Sequence, residues 1–236
     1  MNALKITLKA EYPLRLPLKY NNLIQGALYK CLEGSFPELH DEGWTDGNRV
    51  FRMFTFGRLE GKYRIEGKSI VFYDIVRLEV RSPSPEIIEA FSDYLLDSEA
   101  ICLGESVLPI INLEVSNRLL FKESVRIRMK SYLTIHKTDG RKTLYFSPFD
   151  AEFEALIRKN AEAKLRAADF PLPAKFRLVP EEDTVRKVIT RFKDTIVEGY
   201  EGCFRLETSP EAMALLYYAG LGDRNSQGFG MFEIED

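Results

Sequence analysis

Residues 220–234 read GLGDRNSQGFGMFEI, so four glycines fall within eleven residues, between a predicted helix and the predicted final strand. Gly220 lies where the residue after a helix commonly needs a positive φ, so helix termination is enough to explain it. Gly222, Gly228 and Gly230 need another explanation, because glycine is favoured where a backbone must approach a neighbour closely. The segment follows a helix and lacks a Gly-Lys-Ser/Thr run, which excludes the common nucleotide-binding loops. The pattern predicts a loop that either cradles a phosphate or seals a domain interface.

Upstream of this loop, the first half of the chain has the apolar spacing of a strand–helix–strand–strand–helix–strand unit. Asn21 is predicted as the N-cap of the first helix, which Gly34 and Pro37 end. Ser84 is predicted to cap the second helix, residues 85–96. The predicted strands cover residues 4–10, 50–59, 63–71, 71–80 and 107–115, with 50–59 and 63–71 joined as a hairpin.

A second unit of the same order is predicted from about Ser124 onward. Its first strand alternates apolar residues with Arg126, Arg128 and Lys130, which gives the strand one basic face. Ser209 is predicted to cap the last helix, with Pro210 in its first turn. The remaining predicted elements are the helices at residues 150–167 and 209–219 and the strands at residues 175–178, 185–192, 203–207 and 228–234.

The order of elements predicts an α+β fold class of two tandem ferredoxin-like (βαββαβ) domains with antiparallel sheets, each covered by helices on one face. The predicted domains are residues 1–122 and 123–236. Because no low-complexity linker separates them, we expect the two units to pack rigidly.

Composition and charge limit the function classes. Cys31, Cys102 and Cys203 lie far apart without a CxxC pair, which is typical of reduced thiols. No apolar run approaches the roughly 20 residues of a membrane span, and no signal-peptide core opens the chain, so a cytoplasmic location is expected. The formal net charge is −3, yet residues 122–205 carry 18 Lys and Arg against 13 Asp and Glu. This allows a local basic surface that binds a few phosphates, but not indiscriminate coating of nucleic acid.

Three stretches carry a resemblance to a known family. The segment at residues 220–234 resembles the glycine-rich signature of the RAMP superfamily, and it is most similar to the Cas-six type of CRISPR repeat-processing endoribonuclease. YNNLIQGALYKCL at residues 20–32 and RVFRMFTFG at residues 49–57 are similar to further motifs of that family. The resemblance covers the whole chain. It implies a protein that binds CRISPR repeat RNA, cleaves it once, and hands over or retains the guide RNA.

RNA cleavage without a metal needs a base for the 2′-OH, an acid for the departing 5′-oxygen and a cation for the phosphorane. Histidine suits either proton transfer near neutral pH, and the chain has only His40 and His136. From the residues alone, His40 in PELHDEGW is equally well explained as a loop histidine without a catalytic role. The resemblance implies a catalytic histidine in this helix-to-strand region. His136, predicted to end a strand before a turn, is the weaker candidate.

Two further candidates come from the resemblance. Tyr29 lies off the apolar stripe of the first helix, where most tyrosines simply pack at the surface. The resemblance implies that it orients or deprotonates the 2′-OH, and orientation is favoured because a tyrosine with an ordinary pKa near 10 is a poor base. Arg52 stands on the predicted second strand, where similar proteins can carry lysine. It can stabilise the charged transition state but cannot trade protons, and Arg49 and Arg58 are its rivals.

Several positions are predicted to contact RNA. Arg126, Arg128 and Lys130 share one strand face that is either a solvated face or a surface that follows the RNA backbone. The basic group at Arg186, Lys187, Arg191 and Lys193 can grip a stem or only solubilise a hairpin. The remaining predicted contacts lie in the glycine-rich segment, at Gly220, Gly222, Arg224, Gly228 and Gly230.

The sequence therefore predicts a metal-independent endoribonuclease that cleaves precursor CRISPR RNA by 2′-OH attack, leaving a 2′,3′-cyclic phosphate and a 5′-OH. No cofactor or metal is expected, since the chain shows no clustered Asp, Glu and His ligand set. The expected partners are precursor and mature guide RNA, with interference-complex subunits and a second copy of the chain as further candidates. Two alternatives remain open: a catalytically inactive RNA-binding protein of the same family, and a ferredoxin-like subunit that binds protein or a small ligand.

Overall fold

Two antiparallel sheets, one in each half of the chain, form the framework of the molecule. They are seen in a computed structural model that describes residues 2–36, 43–118, 120–140, 142–193 and 195–235. Each sheet is covered by two helices, and the fold is α+β with tandem ferredoxin-like domains, as predicted. None of the helices within these ranges is long and apolar enough to cross a membrane.

The first sheet is built around β1, whose alternating apolar residues Leu4, Ile6 and Leu8 are fully buried. These side chains share a core with α1 and α2. The sheet order β8–β1–β6–β5 is the ferredoxin-like order of fourth, first, third and second strand. The elements are β1 (Ala3–Pro17), α1 (Asn21–Leu32), β2 (Trp44–Asp46), β3 (Arg49–Phe51), β4 (Thr55–Phe56), β5 (Glu60–Glu66), β6 (Ser69–Arg81), α2 (Pro85–Ser98), β7 (Ala100–Leu103) and β8 (Ser106–Ser116).

The second sheet has the order β12–β15–β9–β16, which is again the ferredoxin-like order. Val125, Ile127 and Met129 of β9 point into its core, as their alternation predicts. Two hairpins, β10–β11 and β13–β14, lie outside this sheet. The elements are β9 (Ser124–Met129), β10 (His136–Asp139), β11 (Lys142–Tyr145), α3 (Phe153–Ala167), β12 (Arg177–Pro180), β13 (Arg186–Phe192), β14 (Thr195–Glu201), β15 (Cys203–Glu207), α4 (Pro210–Ala219) and β16 (Phe232–Glu235).

The predicted hairpin of residues 50–59 with 63–71 is wrong. The hairpin is formed by β5 and β6, which turn at Gly67, while residues 52–54 are not in a strand. Met53 has a φ of 49°, which lies outside the β region, and it separates β3 from β4. The prediction that Arg52 stands on a strand is therefore also wrong.

Three predicted boundaries also need correction. Tyr20, not Asn21, is the N-cap of α1, and the Asn21 side chain bonds elsewhere, as described below. His136 begins strand β10 instead of ending a strand. The final strand starts at Phe232, because residues 228–231 belong to the glycine-rich loop.

A buried arginine joins the two sheets. Arg81, at the end of β6, is fully buried and donates from Nη1 to the carbonyl of Phe232 in β16 at 2.6 Å. Its guanidinium contacts Glu79 at 2.6 Å and Glu233 at 2.9 Å, and it lies 3.9 Å from the ring centroid of Tyr217. Burial opposes the charge, but these neighbours outweigh it and raise the pKa of Arg81 above its ordinary value.

A lysine extends this network across the interface. Nζ of Lys130, which follows β9, lies 2.7 Å from Glu79 and 2.8 Å from Glu60, both in the first unit. The contacts of Arg81 and Lys130 hold the two units in one relative orientation, and this orientation sets the shape of the groove between them.

Candidate functional site

A groove of about 910 Å³ runs between the two units. Its wall from the first unit is formed by α1 and by the segment at residues 49–54. Its wall from the second unit is formed by α3, the start of β10, the turn after β13 and the glycine-rich loop. Among the predicted site residues, Tyr29, Arg52, Gly222 and Arg224 line this groove, and so does His136.

The groove is strongly basic although the chain as a whole has a net charge of −3. Its described lining residues include seven Lys and Arg side chains and one carboxylate, that of Asp223. Such a concentration of positive charge in a concave site focuses the field and attracts polyanions. The Lys and Arg residues are Arg49, Arg52, Lys137, Lys159, Lys164, Lys193 and Arg224.

Tyr29 and Arg52 approach the groove from the first unit. Tyr29 lies on α1 and packs edge-on against Phe54, with ring centroids 5.7 Å apart. Arg52 lies directly before Met53, whose positive φ changes the chain direction between β3 and β4. Arg49, one of the two rivals of Arg52, also lines the groove. Arg58, the other, lines a second cavity and bonds to the Lys130 carbonyl at 3.2 Å.

His136 and Asp223 form a close pair in the second wall. Nδ1 of His136 lies 2.7 Å from Oδ2 of Asp223, although the carboxylate is out of line for a good hydrogen bond from that nitrogen. The backbone N–H of His136 donates to the same oxygen at 3.0 Å. Asn160 on α3 donates to the other carboxylate oxygen at 2.8 Å. Asp223 is therefore held by two elements, and it fixes the start of β10 beside the glycine-rich loop.

The glycine-rich loop is packed tightly against the rest of the protein. Gly230 has a φ of 78°, and a Cβ there would lie 1.9 Å from the carbonyl oxygen of Leu221. At Gly228 a Cβ would lie 2.4 Å from the ring of Phe56 in the first unit. Neither site has room for a side chain.

The loop also bonds to the first unit. Asn21 of α1 donates to the carbonyls of Gln227 and Gly228 at 3.0 and 3.1 Å, and Gln25 donates to that of Ser226 at 3.0 Å. The loop thus seals the interface between the units, which is one of the two functions that its pattern predicts.

Most of the glycine amides are already engaged within the protein. The N–H groups of Gly220, Gly228 and Gly230 donate to Leu216, Asn225 and Tyr132, respectively, at 2.8–2.9 Å. They cannot donate to a phosphate unless these bonds break. The part of the loop that faces the groove is residues 222–227.

A buried lysine supports the loop from below. Nζ of Lys164 on α3 donates to the carbonyls of Gly220 at 2.7 Å and Gly222 at 2.8 Å. Burial lowers the pKa of Lys164 to about 7, against an opposing effect of Asp223. Both the ammonium and the neutral amine have at least two N–H donors, which match these two carbonyls.

Strained backbone is concentrated at the groove. Six non-glycine residues of the described ranges have a positive φ, and Met53, Lys193 and Arg224 among them line the groove. Such conformations cost about 1–3 kcal/mol each and are found preferentially at functional sites. The strained residues and the cluster of Lys and Arg side chains therefore both indicate the groove as the functional site.

Comparison with known proteins identifies the family. The family described as CRISPR associated protein Cas6, C-terminal, matches residues 115–234. The chain belongs to the Cas6 family. No curated protein matches it at a significant level.

Three solved structures share the Cas6 fold over almost the whole chain. A Cas6-related protein from Pyrococcus furiosus is 20% identical with a TM-score of 0.84, covering 100% of this chain and 98% of its own. An RAMP protein described as binding different RNA substrates is 19% identical with a TM-score of 0.84, covering 100% of both chains. A Cas6 product complex is 18% identical with a TM-score of 0.66, covering 99% of both.

The basic residues predicted to form one face of β9 are paired with carboxylates in this Cas6 protein. Arg126 pairs with Glu181 at 2.8 Å and also with Glu235, and Arg128 pairs with Glu235. Lys130 pairs with carboxylates of the first unit. None of the side chains of Arg126, Arg128 and Lys130 lines the groove. Of the second basic group, Lys193 alone lines the groove, and Lys187 pairs with Glu198 at 2.7 Å. Contact of these residues with RNA stays a prediction.

His40 lies outside the described residues, so its position relative to Tyr29 and Arg52 stays a prediction. Among the residues that the structure does describe, no group of three or more His, Cys, Asp and Glu side chains is arranged to hold a metal ion.

The contribution of α3 to the groove was missed by sequence reasoning. Asn160 and Lys164 are buried on the same face as Phe153 and Ile157. A polar and a charged residue four positions apart on an otherwise apolar helix face require buried partners, because an unpaired buried polar group is costly. That spacing was the available signal. Lys159 and Asp223 gave no such signal.

Proposed function

We propose that this protein binds CRISPR repeat RNA in the groove between its two units and cleaves it without a metal ion. The observation that carries the proposal is the groove itself, whose described lining has seven Lys and Arg side chains, one carboxylate and one histidine in a chain of net negative charge. Phosphate contacts supply most of the affinity of such sites. The folds shared with an RNA-binding RAMP protein and a Cas6 product complex support the same assignment.

The proposed division of labour follows the two units, taken as domains at residues 1–122 and 123–236. The N-terminal domain carries the catalytic candidates His40, Tyr29 and Arg52. The C-terminal domain contributes Arg224 and the remaining cations of the second wall, while the glycine-rich loop holds both domains together.

The proposed reaction is an in-line attack of a ribose 2′-oxygen on the adjacent phosphorus. Tyr29 orients the 2′-OH, and His40 acts as general acid or general base. Arg52 stabilises the negative charge that builds on the nonbridging oxygens, which a fixed guanidinium can do with two hydrogen bonds. The bond from phosphorus to the 5′-oxygen then breaks, which leaves a 2′,3′-cyclic phosphate and a 5′-OH.

The test is cleavage of a synthetic RNA that carries the repeat of the host's own CRISPR array, in buffer with EDTA. We expect one cut per repeat and a 2′,3′-cyclic phosphate on the upstream product, measured by mass spectrometry. An RNA with a single 2′-deoxy sugar at the cut site should bind but stay intact, because it lacks the nucleophile. Tight binding of the all-ribose RNA without any product would instead select the inactive RNA-binding alternative, and absence of salt-dependent binding would reject both.

A further inference from the structure

Of the three proposed catalytic residues, His40, Tyr29 and Arg52, only His40 is assigned to transfer a proton. An arginine stays charged at any working pH, and Tyr29 is assigned to orient the nucleophile. The reaction needs two transfers, one from the 2′-OH and one to the 5′-oxygen. A second group is therefore missing from the proposed site. The chain has one histidine besides His40.

That histidine lies in the groove. His136 lines the same cavity as Tyr29 and Arg52 but on the wall of the second unit. Its Nδ1 is buried and faces Asp223 at 2.7 Å, while 24% of its side chain remains exposed. Nε2 is thus the ring nitrogen left to meet a ligand in the groove. The ring is further confined by Tyr145, whose centroid lies 5.6 Å away.

The surroundings of His136 are those of an oriented imidazole. The ring lies between the Asp223 carboxylate and the Tyr145 ring, which together restrict its orientation. Asp223 is itself held by Asn160 at 2.8 Å and by the His136 backbone at 3.0 Å, so its position is set before RNA binds.

We propose that His136 is the second proton-transfer group of the reaction and that Asp223 is its positioning residue. This inference rests on the proposed function. One of the two histidines, neutral at the start, takes the proton of the 2′-OH as the O2′–P bond forms. The other, protonated at the start, gives its proton to O5′ as the P–O5′ bond breaks. The two histidines end the turnover with exchanged protonation states, and exchange with water restores them.

The first test compares single-turnover cleavage of the repeat RNA by the wild type and by His136→Ala, in EDTA and at saturating protein. We expect the variant to be roughly 10²–10⁴-fold slower, the usual contribution of a general acid or base. Its affinity for the 2′-deoxy RNA should be unchanged. Leu144→Ala, on the exposed side of the same hairpin, is the matched control and should cleave at the wild-type rate.

The second test uses an RNA in which sulfur replaces the bridging 5′-oxygen at the mapped cut site. A thiolate leaves without a proton, so this substrate restores the rate of whichever variant lacks the general acid. We expect rescue in one of His40→Ala and His136→Ala and not in the other. A wild-type rate for His136→Ala, or rescue of both variants or of neither, would overturn the inference. A wild type that does not cleave at all would instead defeat the proposed function, and this inference with it.

Asp223→Asn separates positioning from mere folding. The substitution removes the one carboxylate among the described groove residues, so RNA affinity should stay equal or rise while the cleavage rate falls. A parallel loss of affinity and rate would show that Asp223 only maintains the structure, and would overturn its assigned role.

Discussion

His40→Ala should cleave repeat RNA roughly 10²–10⁴-fold more slowly than the wild type and bind it equally well. The reason is that the substitution removes a proton-transfer group without removing a permanent positive charge from the site. Single-turnover rates in EDTA and the dissociation constant for the 2′-deoxy RNA provide the two readouts.

Glu38→Gln, in the same stretch of sequence, serves as the control and should behave as the wild type. Full activity of His40→Ala would reject the assignment of this histidine, whereas equal losses of rate and affinity would point to a role in folding or binding.

Arg81→Ala should lower the free energy of unfolding by about 3–5 kcal/mol, the range found when one partner of a buried ion pair is removed. The substitution leaves Glu79 buried with Lys130 as its remaining cation, and it deletes the bonds to Phe232 and Glu233 in the second unit. For a chain of this size we expect the melting temperature to fall by roughly 6–20 °C. Urea unfolding followed by circular dichroism measures the change directly.

Arg77→Ala is the control for this prediction, because Arg77 lies on the same strand but is exposed. Its effect should stay within about 0.5 kcal/mol. If Arg81→Ala unfolds at the same urea concentration as Arg77→Ala, the network does not hold the two units together.

The parts of the fold that the sequence predicts well are those determined by local chemistry. Ser209 caps α4, accepting a hydrogen bond from the Ala212 N–H, and Pro210 occupies the first turn, both as predicted. The alternation of β9 likewise places its apolar residues in the core. The hairpin at residues 50–71 was mispredicted because the left-handed conformation at Met53 has no sequence signal: methionine rarely adopts it.

The candidate site was only partly predictable, because it depends on contacts between residues that are far apart in the sequence. The glycine pattern indicates close approach, but only the structure shows that the neighbours are Phe56 and the Leu221 carbonyl. Asparagine is a favoured N-cap residue, yet the side chain of Asn21 donates instead to the glycine-rich loop. Because such contacts join residues about 200 positions apart, local propensity carries no information about them.

The salt dependence of RNA binding shows whether the groove is the surface that binds RNA. Arg49, Lys159 and Lys193 come from three different elements that line the groove, and Lys5, Arg77 and Lys122 are cations that do not line it. Both triple glutamine variants remove the same charge from the chain.

The measurement is the slope of log affinity against log salt for the 2′-deoxy repeat RNA. We predict that the groove variant loses about two units of slope, since each phosphate contact to a single strand contributes about 0.7, and that the control variant keeps the wild-type slope. Equal slopes for the two variants would mean that RNA does not bind in the groove.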